Sequence, residues 1–286
     1  MKGLIMAAGK GSRLYPATIP VDKALVPIYD KPLIYYPMET MIYAGIRDIM
    51  IIVGSGKTER FYGLFGDGSD LGMSIQYREQ PARRGIADAF LIAEDFIGND
   101  PVCLMLGDNI FIGGMASHLK LACRNPKGAT IFAIPSQHPE RYGVVWIDDF
   151  GCATSIEEKP TQTPTSNLVV PGAYVYDNMA CELAKTLKPS SRGELEITDL
   201  NRLYLEAGML NVRMLERNSN VWMDIGNAED MVNASVTIRS LYRDYSMCNG
   251  YVEVAAFCNG WIDIMQLHSL AEKYLGTQYG DYLMNL

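Results

Sequence analysis

The chain has 286 residues, enough for one large α/β domain or two small domains with a sizeable core. It carries 25 Lys and Arg against 33 Asp and Glu, a formal net charge of −8. This balance argues against a nucleic-acid partner, because non-specific nucleic-acid binding depends on an excess of cationic side chains. With 48% hydrophobic and 20% charged residues, the composition is typical of a folded globular protein.

The sequence indicates neither membrane insertion nor export. No stretch approaches the roughly 18 apolar residues of a membrane helix, and the apolar run before Gly9 is shorter than the ~7–15 residues of a signal-peptide core. The six cysteines include no Cys-x-x-Cys pair, and they form no cluster of metal-ligand spacing with the three histidines. We therefore expect a cytoplasmic protein with no membrane partner, no zinc site and no Cys–His nucleophile pair.

Short apolar segments alternate with helix-like segments in the first half of the chain. The pattern predicts, in order, a strand over 4–7, a helix over 33–44, a strand over 48–53, a helix over 86–96, and strands over 102–106 and 130–134. Such alternation is typical of a mostly parallel sheet that is covered by helices on both faces.

The pattern changes from about residue 144. Shorter strands over 144–147, 155–158 and 173–176 predict an antiparallel or mixed insertion beside the main sheet. Further elements follow as helices over 178–187 and 198–207, strands over 212–215 and 221–223, and helices over 228–242 and 262–274.

Together these elements predict an α/β fold with a Rossmann-like mixed, mostly parallel sheet flanked by helices, a small β-rich insertion and a C-terminal helical extension. We expect the α/β core over residues 1–227 and the extension over 228–286.

A glycine-rich loop follows the first strand. Residues 9–13 read Gly-Lys-Gly-Ser-Arg, and glycines allow the backbone to approach a ligand and to direct successive N–H groups at one anion. The spacing matches neither a Walker loop nor the dinucleotide fingerprint, whose third small position is Arg13 here. A guanidinium suits phosphate geometry, so the loop predicts a phosphate site, with an ordinary strand-to-helix turn as the alternative. Lys23 could reach the same phosphates or be a surface lysine.

Two carboxylates follow short apolar strands. Asp108 comes after the strand over 102–106, and Asp224 after the strand over 221–223. The carboxyl ends of strands are where open α/β sheets bind ligands, and carboxylate oxygens suit Mg²⁺. The pattern predicts a magnesium site shared by Asp108 and Asp224, with a helix cap or turn as the alternative role for Asp108.

Two further charged stretches leave their roles open. Glu157, Glu158 and Lys159 lie on a short strand, and residues 192–196 read Arg-Gly-Glu-Leu-Glu. Each stretch could bind an anion or form a solvated edge.

Five stretches carry a resemblance to a known family. Residues 1–16 resemble the signature of the sugar-1-phosphate nucleotidylyltransferases. Four more stretches resemble the branch of this family that transfers a thymidylyl group to glucose 1-phosphate, namely residues 29–37, 139–145, 193–199 and 279–283. The resemblance covers essentially the whole chain. It implies an enzyme that converts dTTP and glucose 1-phosphate to dTDP-glucose and pyrophosphate, as in dTDP-rhamnose biosynthesis.

The resemblance also implies residue roles at the nucleotide. Arg13 and Lys23 would be catalytic, because they would neutralise the phosphates and the pyrophosphate leaving group. The implied nucleotide-binding residues are Ala8, Gly9, Gly11, Ser12, Arg13, Gln80, Gly85 and Asp108. Gln80 and Gly85 would read the base, and Asp108 and Asp224 would hold Mg²⁺.

For the sugar, the resemblance implies a binding part at about residues 140–200. The implied sugar-phosphate residues are Gly143, Glu158, Lys159, Val170 and Arg192. A phosphate oxygen of the sugar would attack the α-phosphorus in line, so little is asked of a protein base and catalysis rests on positioning and charge neutralisation. The resemblance also implies a homotetramer.

Some positions depart from the family pattern. Ala24 replaces a glutamine, and Arg83 and Arg84 occupy the base-reading loop, which leaves UTP or another hexose 1-phosphate as an alternative. A regulatory protein that binds nucleotide sugars without catalysis, and a nicotinamide-dependent oxidoreductase, are alternatives of other classes. The retained cations and carboxylates disfavour the first, and Arg13 disfavours the second. Residues 248–259 carry no Lys or Arg, which predicts weak or absent feedback inhibition by dTDP-rhamnose.

Overall fold

Fourteen strands and eleven α-helices make up the computed structural model, which describes residues 1–286. The strands are β1 (Lys2–Ala7), β2 (Pro27–Ile28), β3 (Lys31–Pro32), β4 (Asp48–Gly54), β5 (Ser74–Gln80), β6 (Val102–Leu106), β7 (Asn109–Gly113), β8 (Ala129–Pro135), β9 (Gly143–Ile147), β10 (Ala153–Glu158), β11 (Leu168–Val170), β12 (Ala173–Tyr176), β13 (Leu210–Met214) and β14 (Asn220–Asp224). The helices are α1 (Tyr35–Tyr43), α2 (Thr58–Phe65), α3 (Asp88–Ile92), α4 (Glu94–Ile97), α5 (Met115–Cys123), α6 (Ala180–Thr186), α7 (Ile197–Glu206), α8 (Ala228–Tyr245), α9 (Val252–Cys258), α10 (Ile264–Ala271) and α11 (Gln278–Met284).

Ten strands form one mixed sheet in the order β10-β9-β11-β8-β12-β6-β1-β4-β5, with β13 also paired to β8. The pairings give seven strands one direction, whereas β10, β11 and β12 run in the opposite one. This confirms the predicted mixed, mostly parallel sheet. The strands expected as an insertion beside the sheet instead continue it through the antiparallel pairing of β12 with β6 and β8.

Side chains from both faces of the sheet are buried under helices. Along β4, Ile49 and Ile51 join one hydrophobic cluster with residues of α1, α5 and α9, while Met50 and Ile52 join a second cluster with residues of α3, α6 and α7. Successive strand residues point to opposite faces, so the continuous apolar run of β4 reflects burial on both sides.

Some elements differ from those expected. The pattern of apolar residues did not predict the strand β5. It is an edge strand on which only Ile75 and Gln80 are buried, so it lacks the apolar run of a central strand. The helix expected over 86–96 consists of the separate helices α3 and α4, which meet at Ala93. The helix expected over 262–274 is α10, which begins at Ile264 because Asp263 caps it in a reciprocal hydrogen-bonded box with Gln266.

The C-terminal helices pack on α1 of the sheet region. The backbone N–H of Tyr251 donates to Glu39 Oε1 over 2.9 Å, and the Tyr279 hydroxyl donates to Glu253 Oε2 over 2.5 Å. The rings of Tyr251 and Tyr279 stack with centroids 4.4 Å apart. The two buried carboxylates are thus satisfied by groups of the same extension.

No helix combines the length and the apolar character that a membrane crossing requires.

Candidate active site

The carboxyl ends of four neighbouring parallel strands meet at one edge of the sheet. The register pairs Gln80 of β5 with Gly54 of β4, Val53 of β4 with Ala7 of β1, and Met6 of β1 with Leu106 of β6. The loops that follow these strands therefore share one rim, which is where open α/β sheets bind ligands.

The glycine-rich loop leaves β1 at this rim and turns at Gly11. Gly11 has a φ of 65°, and a Cβ there would lie 3.0 Å from the Lys23 Cβ. The Thr18 hydroxyl donates to the Gly11 carbonyl over 2.6 Å. Both the left-handed backbone and the close approach of Lys23 therefore require glycine at this position.

Lys23 is buried beneath the loop and pairs with Asp108. Its Nζ lies 2.5 Å from Asp108 Oδ2, with 9% of the lysine side chain exposed. The alternative of an ordinary surface lysine is therefore wrong. The adjacent Asp22 is also buried and pairs with Lys57 and Arg60, which fixes the turn that carries Lys23.

Asp108 and Asp224 come together because β7 and β14 pair. The antiparallel register places Asp224 opposite Asn109, and the N–H of Ile225 donates to the Asp108 carbonyl over 3.1 Å. Burial, and next the charge of Asp108, raise the pKa of Asp224 to about 6, although the positive charges of Lys23 and Arg13 act in the opposite sense. The site therefore concentrates negative charge beside two cations.

The Arg13 guanidinium lies directly over Gly226. A Cβ on Gly226 would be 3.3 Å from Arg13 Nη1 and 3.4 Å from Nη2, so a side chain there would crowd the guanidinium. Gly226 thus lets Arg13 reach the end of β14, next to Asp224.

A second charged group surrounds Glu158 at the end of β10. Its Oε1 lies 3.2 Å from Arg192 Nη2 and 3.3 Å from Lys159 Nζ, while its Oε2 accepts from the Thr198 hydroxyl over 2.6 Å. Gly143 leaves room for this contact, because a Cβ there would lie 3.3 Å from Glu158 Oε2 and 3.1 Å from Thr198 Oγ1. Arg192 Nη2 also lies 2.9 Å from Glu196 Oε2, so two cations and two carboxylates converge on one wall.

Lys159 has an unusual backbone. Its φ is 45°, the left-handed region that non-glycine residues rarely occupy. Its N–H donates to the Tyr142 carbonyl over 3.0 Å, which holds the strained turn. Strain of this kind concentrates at functional sites, and here it directs a lysine towards the carboxylate of Glu158.

The two groups share one cavity of about 260 Å³. Seven residues expected at the site line it, namely Arg13, Asp108, Gly143, Glu158, Lys159, Val170 and Asp224. A small adjoining cavity is lined by Gly9, Lys23 and Asp108 among others. Arg192 reaches the main cavity wall through its ion pair with Glu158.

The remaining expected residues lie around the same rim. Ala8 and Ser12 belong to the loop that carries Gly9, and Ser12 is exposed. Gln80 and Gly85 do not line the cavity, but the neighbouring Ile86 does. Gly85 packs so closely on Leu195 that a Cβ would lie 2.4 Å from the Leu195 carbonyl oxygen.

The sequence model for the family described as nucleotidyl transferase matches residues 2–240. The chain belongs to the nucleotidyl transferase family. It is accordingly an enzyme of nucleotidyl transfer, as the sequence predicted. The match includes the glycine-rich loop, both carboxylates and the group around Glu158.

Relatives of this nucleotidyl transferase match over its full length. A Neisseria meningitidis protein named glucose-1-phosphate thymidylyltransferase is 49% identical, with 100% of this chain and 99% of that protein covered. A protein of the same name from Mycolicibacterium smegmatis is 45% identical, with the same coverage of each chain.

Solved structures of two enzymes share the nucleotidyl transferase fold. A Bacillus anthracis protein described as a glucose-1-phosphate thymidylyltransferase, in complex with sucrose, superposes with a TM-score of 0.77 at 38% identity, over 87% of this chain and 98% of that one. A UDP-glucose pyrophosphorylase in complex with UDP-glucose gives a TM-score of 0.73 at 26% identity, over 84% and 98%.

Three side chains of this nucleotidyl transferase complete the cavity without having been singled out from the sequence. The Trp222 indole N–H donates to Asn109 Oδ1 over 2.6 Å, and the Tyr142 ring meets the Trp222 ring edge-on, with centroids 4.9 Å apart. Asn109 also donates to Asp108 Oδ1 over 2.8 Å. Two signals pointed to them: their closeness in sequence to Asp108, Gly143 and Asp224, and, for Tyr142, its place in the stretch 139–145 that resembles the family.

Proposed function

We propose that this nucleotidyl transferase transfers a thymidylyl group from dTTP to glucose 1-phosphate and releases pyrophosphate, as a step in dTDP-sugar formation such as dTDP-rhamnose biosynthesis. The observation that carries the proposal is one cavity with two separate cationic groups. Arg13 lies at one end beside two carboxylates, and Lys159 lies at the other beside Glu158. The names of the relatives from Neisseria meningitidis and Mycolicibacterium smegmatis support the same substrates.

At the nucleotide end, the loop and two cations would hold the triphosphate. Exposed Gly9 and Ser12 leave backbone N–H groups open to an anion. Arg13 contributes a fixed guanidinium over Gly226, which suits phosphate oxygens. Lys23, buried at the foot of the loop, adds a positive charge where pyrophosphate would leave.

The carboxylates of Asp108 and Asp224 fit Mg²⁺. They are hard oxygen donors on adjoining backbone. Burial, and next the charge of Asp108, raise the pKa of Asp224, so a divalent cation would relieve an unfavourable buried charge density. Two protein carboxylates leave other positions for water and phosphate, which is the usual arrangement for Mg²⁺. When bound, the ion would neutralise charge on the reacting phosphates.

At the sugar end, Lys159 and Arg192 would bind the sugar phosphate and Glu158 would accept from sugar hydroxyls. Gly143 and Val170 line the same wall, where the lack of a side chain on Gly143 keeps the approach to Glu158 open. A phosphate monoester oxygen is a competent nucleophile near neutral pH. The protein therefore needs to position the two phosphates and balance their charge rather than supply a base.

A second candidate is the same reaction with UTP or another hexose 1-phosphate. The solved UDP-glucose pyrophosphorylase supports this second candidate, because that enzyme has the same fold and binds UDP-glucose. Ala24, Arg83 and Arg84 depart from the family pattern near the expected base-reading residues, and these departures could alter the base preference. The non-catalytic regulatory alternative is disfavoured because Arg13, Lys23 and both aspartates are brought to one site.

The same proposal extends to organisation and setting. It assigns residues 1–227 to the catalytic core, with the sugar-binding part at about 140–200, and residues 228–286 to a C-terminal helical extension. It further includes a homotetramer in the cytoplasm without nucleic-acid or membrane partners. The free state of all six cysteines is compatible with a reducing compartment.

Pyrophosphate release measured over a matrix of nucleoside triphosphates and sugar 1-phosphates, with Mg²⁺, tests the proposal. We expect the highest kcat/KM for dTTP with glucose 1-phosphate. A higher kcat/KM for UTP, or for another sugar phosphate, would replace the proposal by the second candidate. No release with any pair would leave the regulatory alternative.

A further inference from the structure

Gln80 ends the edge strand β5 at the rim of the site, and its carboxamide is held in one orientation. The Nε2 donates to Asp88 Oδ2 over 3.0 Å and to the Gly85 carbonyl over 3.2 Å. A carbonyl and an ionised carboxylate can only accept. The two partners can only accept, so the NH₂ group of Gln80, and not its oxygen, must face them.

The opposite atom of the carboxamide is left free. Gln80 Oε1 accepts no hydrogen bond from the protein. It is also not one of the buried side-chain atoms without a partner, so it is accessible to a ligand. The N–H of Gly85 likewise donates to no protein acceptor. The rim thus offers one fixed acceptor and one free backbone donor, five residues apart in sequence.

Asp88 is built to hold this arrangement. It is buried with 3% exposure at the first position of α3. Its second oxygen, Oδ1, lies 3.5 Å from Arg84 Nε, so the cation balances the buried charge while Oδ2 faces Gln80. The loop between them is pinned to the neighbouring segment, because the N–H of Leu195 donates to the Arg84 carbonyl over 2.6 Å and the N–H of Ala87 donates to the Leu195 carbonyl over 3.1 Å.

We propose that Asp88 is a positioning residue for base choice: it fixes the Gln80 carboxamide so that Oε1 selects a pyrimidine that donates from N3. Thymine and uracil carry an N–H at N3, whereas the N3 of cytosine is an acceptor and would face Oε1 without a proton between them. A site built to pair with one N–H rejects an analogue that lacks it, because the bound base would cover Oε1 and leave this acceptor without a hydrogen bond. The inference rests on the proposed nucleotide site and names what sets its base preference.

Asp88→Asn tests the role, because an asparagine of nearly the same shape can present either an oxygen or an NH₂ group to Gln80. We expect the ratio of kcat/KM for dTTP to that for dCTP to fall about tenfold or more, mainly through a higher KM for dTTP. The matched control is Asp95→Asn, which removes an exposed carboxylate paired with Arg78 and should leave the ratio unchanged. A folded Asp88→Asn protein with the unaltered ratio would overturn the proposal.

A binding measurement separates this proposal from the proposed reaction and does not depend on the variant. With Mg²⁺ and no sugar phosphate, the unaltered protein should bind dTTP at least tenfold more tightly than either dCTP or N3-methyl-dTTP. Equal affinity for dTTP and N3-methyl-dTTP would overturn the role of Gln80 and Asp88 even if dTDP-glucose is formed. Tighter binding of dTTP without any dTDP-glucose would support base selection by Gln80, leave the role of Asp88 to the Asp88→Asn ratio, and reject the proposed reaction.

Discussion

Lys23 Nζ and Asp108 Oδ2 lie 2.5 Å apart, although 85 residues separate them in the sequence. The lysine is buried under the glycine-rich loop, and the aspartate lies in the turn between β6 and β7. The pair joins the two structures that would hold the triphosphate and the metal ion. The Lys23 ammonium therefore balances Asp108, and in the proposed reaction it would also meet the leaving phosphates.

The first prediction concerns Lys23→Met, which keeps the length of the side chain and removes its charge. We expect kcat to fall on the order of 10²–10³-fold, as for loss of one preorganised group that stabilises developing charge. Binding of Mg²⁺ to the free protein should tighten, because Asp108 loses its cation. Lys273→Met, at an exposed pair with Asp70, is the control, and a rise in KM alone would contradict the catalytic role.

The second prediction concerns Arg13→Ala. The guanidinium lies over Gly226 and lines the cavity beside Asp224, so its loss should lower kcat on the order of 10²–10³-fold. Steady-state kinetics with dTTP and glucose 1-phosphate measure the effect. Arg243→Ala, whose side chain pairs only with the adjacent Asp244, should retain turnover. Near-normal turnover in Arg13→Ala would show that the loop does not bind phosphate.

The third prediction concerns pH and Mg²⁺. Burial and the charge of Asp108 raise the pKa of Asp224 to about 6, and a metal ligand must be deprotonated before it binds. In the absence of nucleotide, Mg²⁺ affinity should therefore be about tenfold lower at pH 5 than at pH 7. Asp224→Asn should bind more weakly with little of this dependence. Calorimetric titration decides the point, and a pH-independent affinity in the unaltered protein would contradict it.

The fourth prediction concerns stability through Glu39 of α1. Burial raises the pKa of this carboxyl to about 7, although the N–H groups of Gly250 and Tyr251 favour its charged form. Because the folded pKa lies above the unfolded value of about 4.3, the stabilisation is fully present below about pH 4.3 and is lost as the pH rises from there through about 7. Glu39→Gln, which stays neutral, should raise Tm at pH 8 and change it little at pH 4.

Thermal unfolding of Glu39→Gln at the two pH values measures this effect. An exposed glutamate, Glu59 of α2, provides the control as Glu59→Gln. A lower Tm for Glu39→Gln at pH 8 would show instead that the negative charge holds the C-terminal helices on α1.

The sequence predicted that several residues of the proposed site would lie near one another, because these residues follow strands. Asp108 and Asp224 each end a short apolar segment, and the register of β7 with β14 joins them as expected. That pairing register itself depends on contacts between segments more than 100 residues apart, which periodicity does not encode. The role of Lys23 was open for the same reason, since only the folded chain places it against Asp108.

Other features escaped because their local signals are weak. The edge strand β5 alternates few apolar residues with polar ones, so its end at Gln80 was known only from family resemblance. Asp88 was not singled out, because an acidic residue in the first turn of a helix is ordinary and its contact with Gln80 is visible only in the folded chain. The left-handed backbone of Lys159 is likewise set by tertiary contacts.

The most direct test of the account is identification of the products formed from dTTP, glucose 1-phosphate and Mg²⁺ by mass spectrometry and phosphorus NMR. We expect dTDP-glucose and pyrophosphate in equal amounts, with neither formed when glucose 1-phosphate is omitted. Hydrolysis of dTTP without a sugar nucleotide, or bound substrates that do not react, would contradict it.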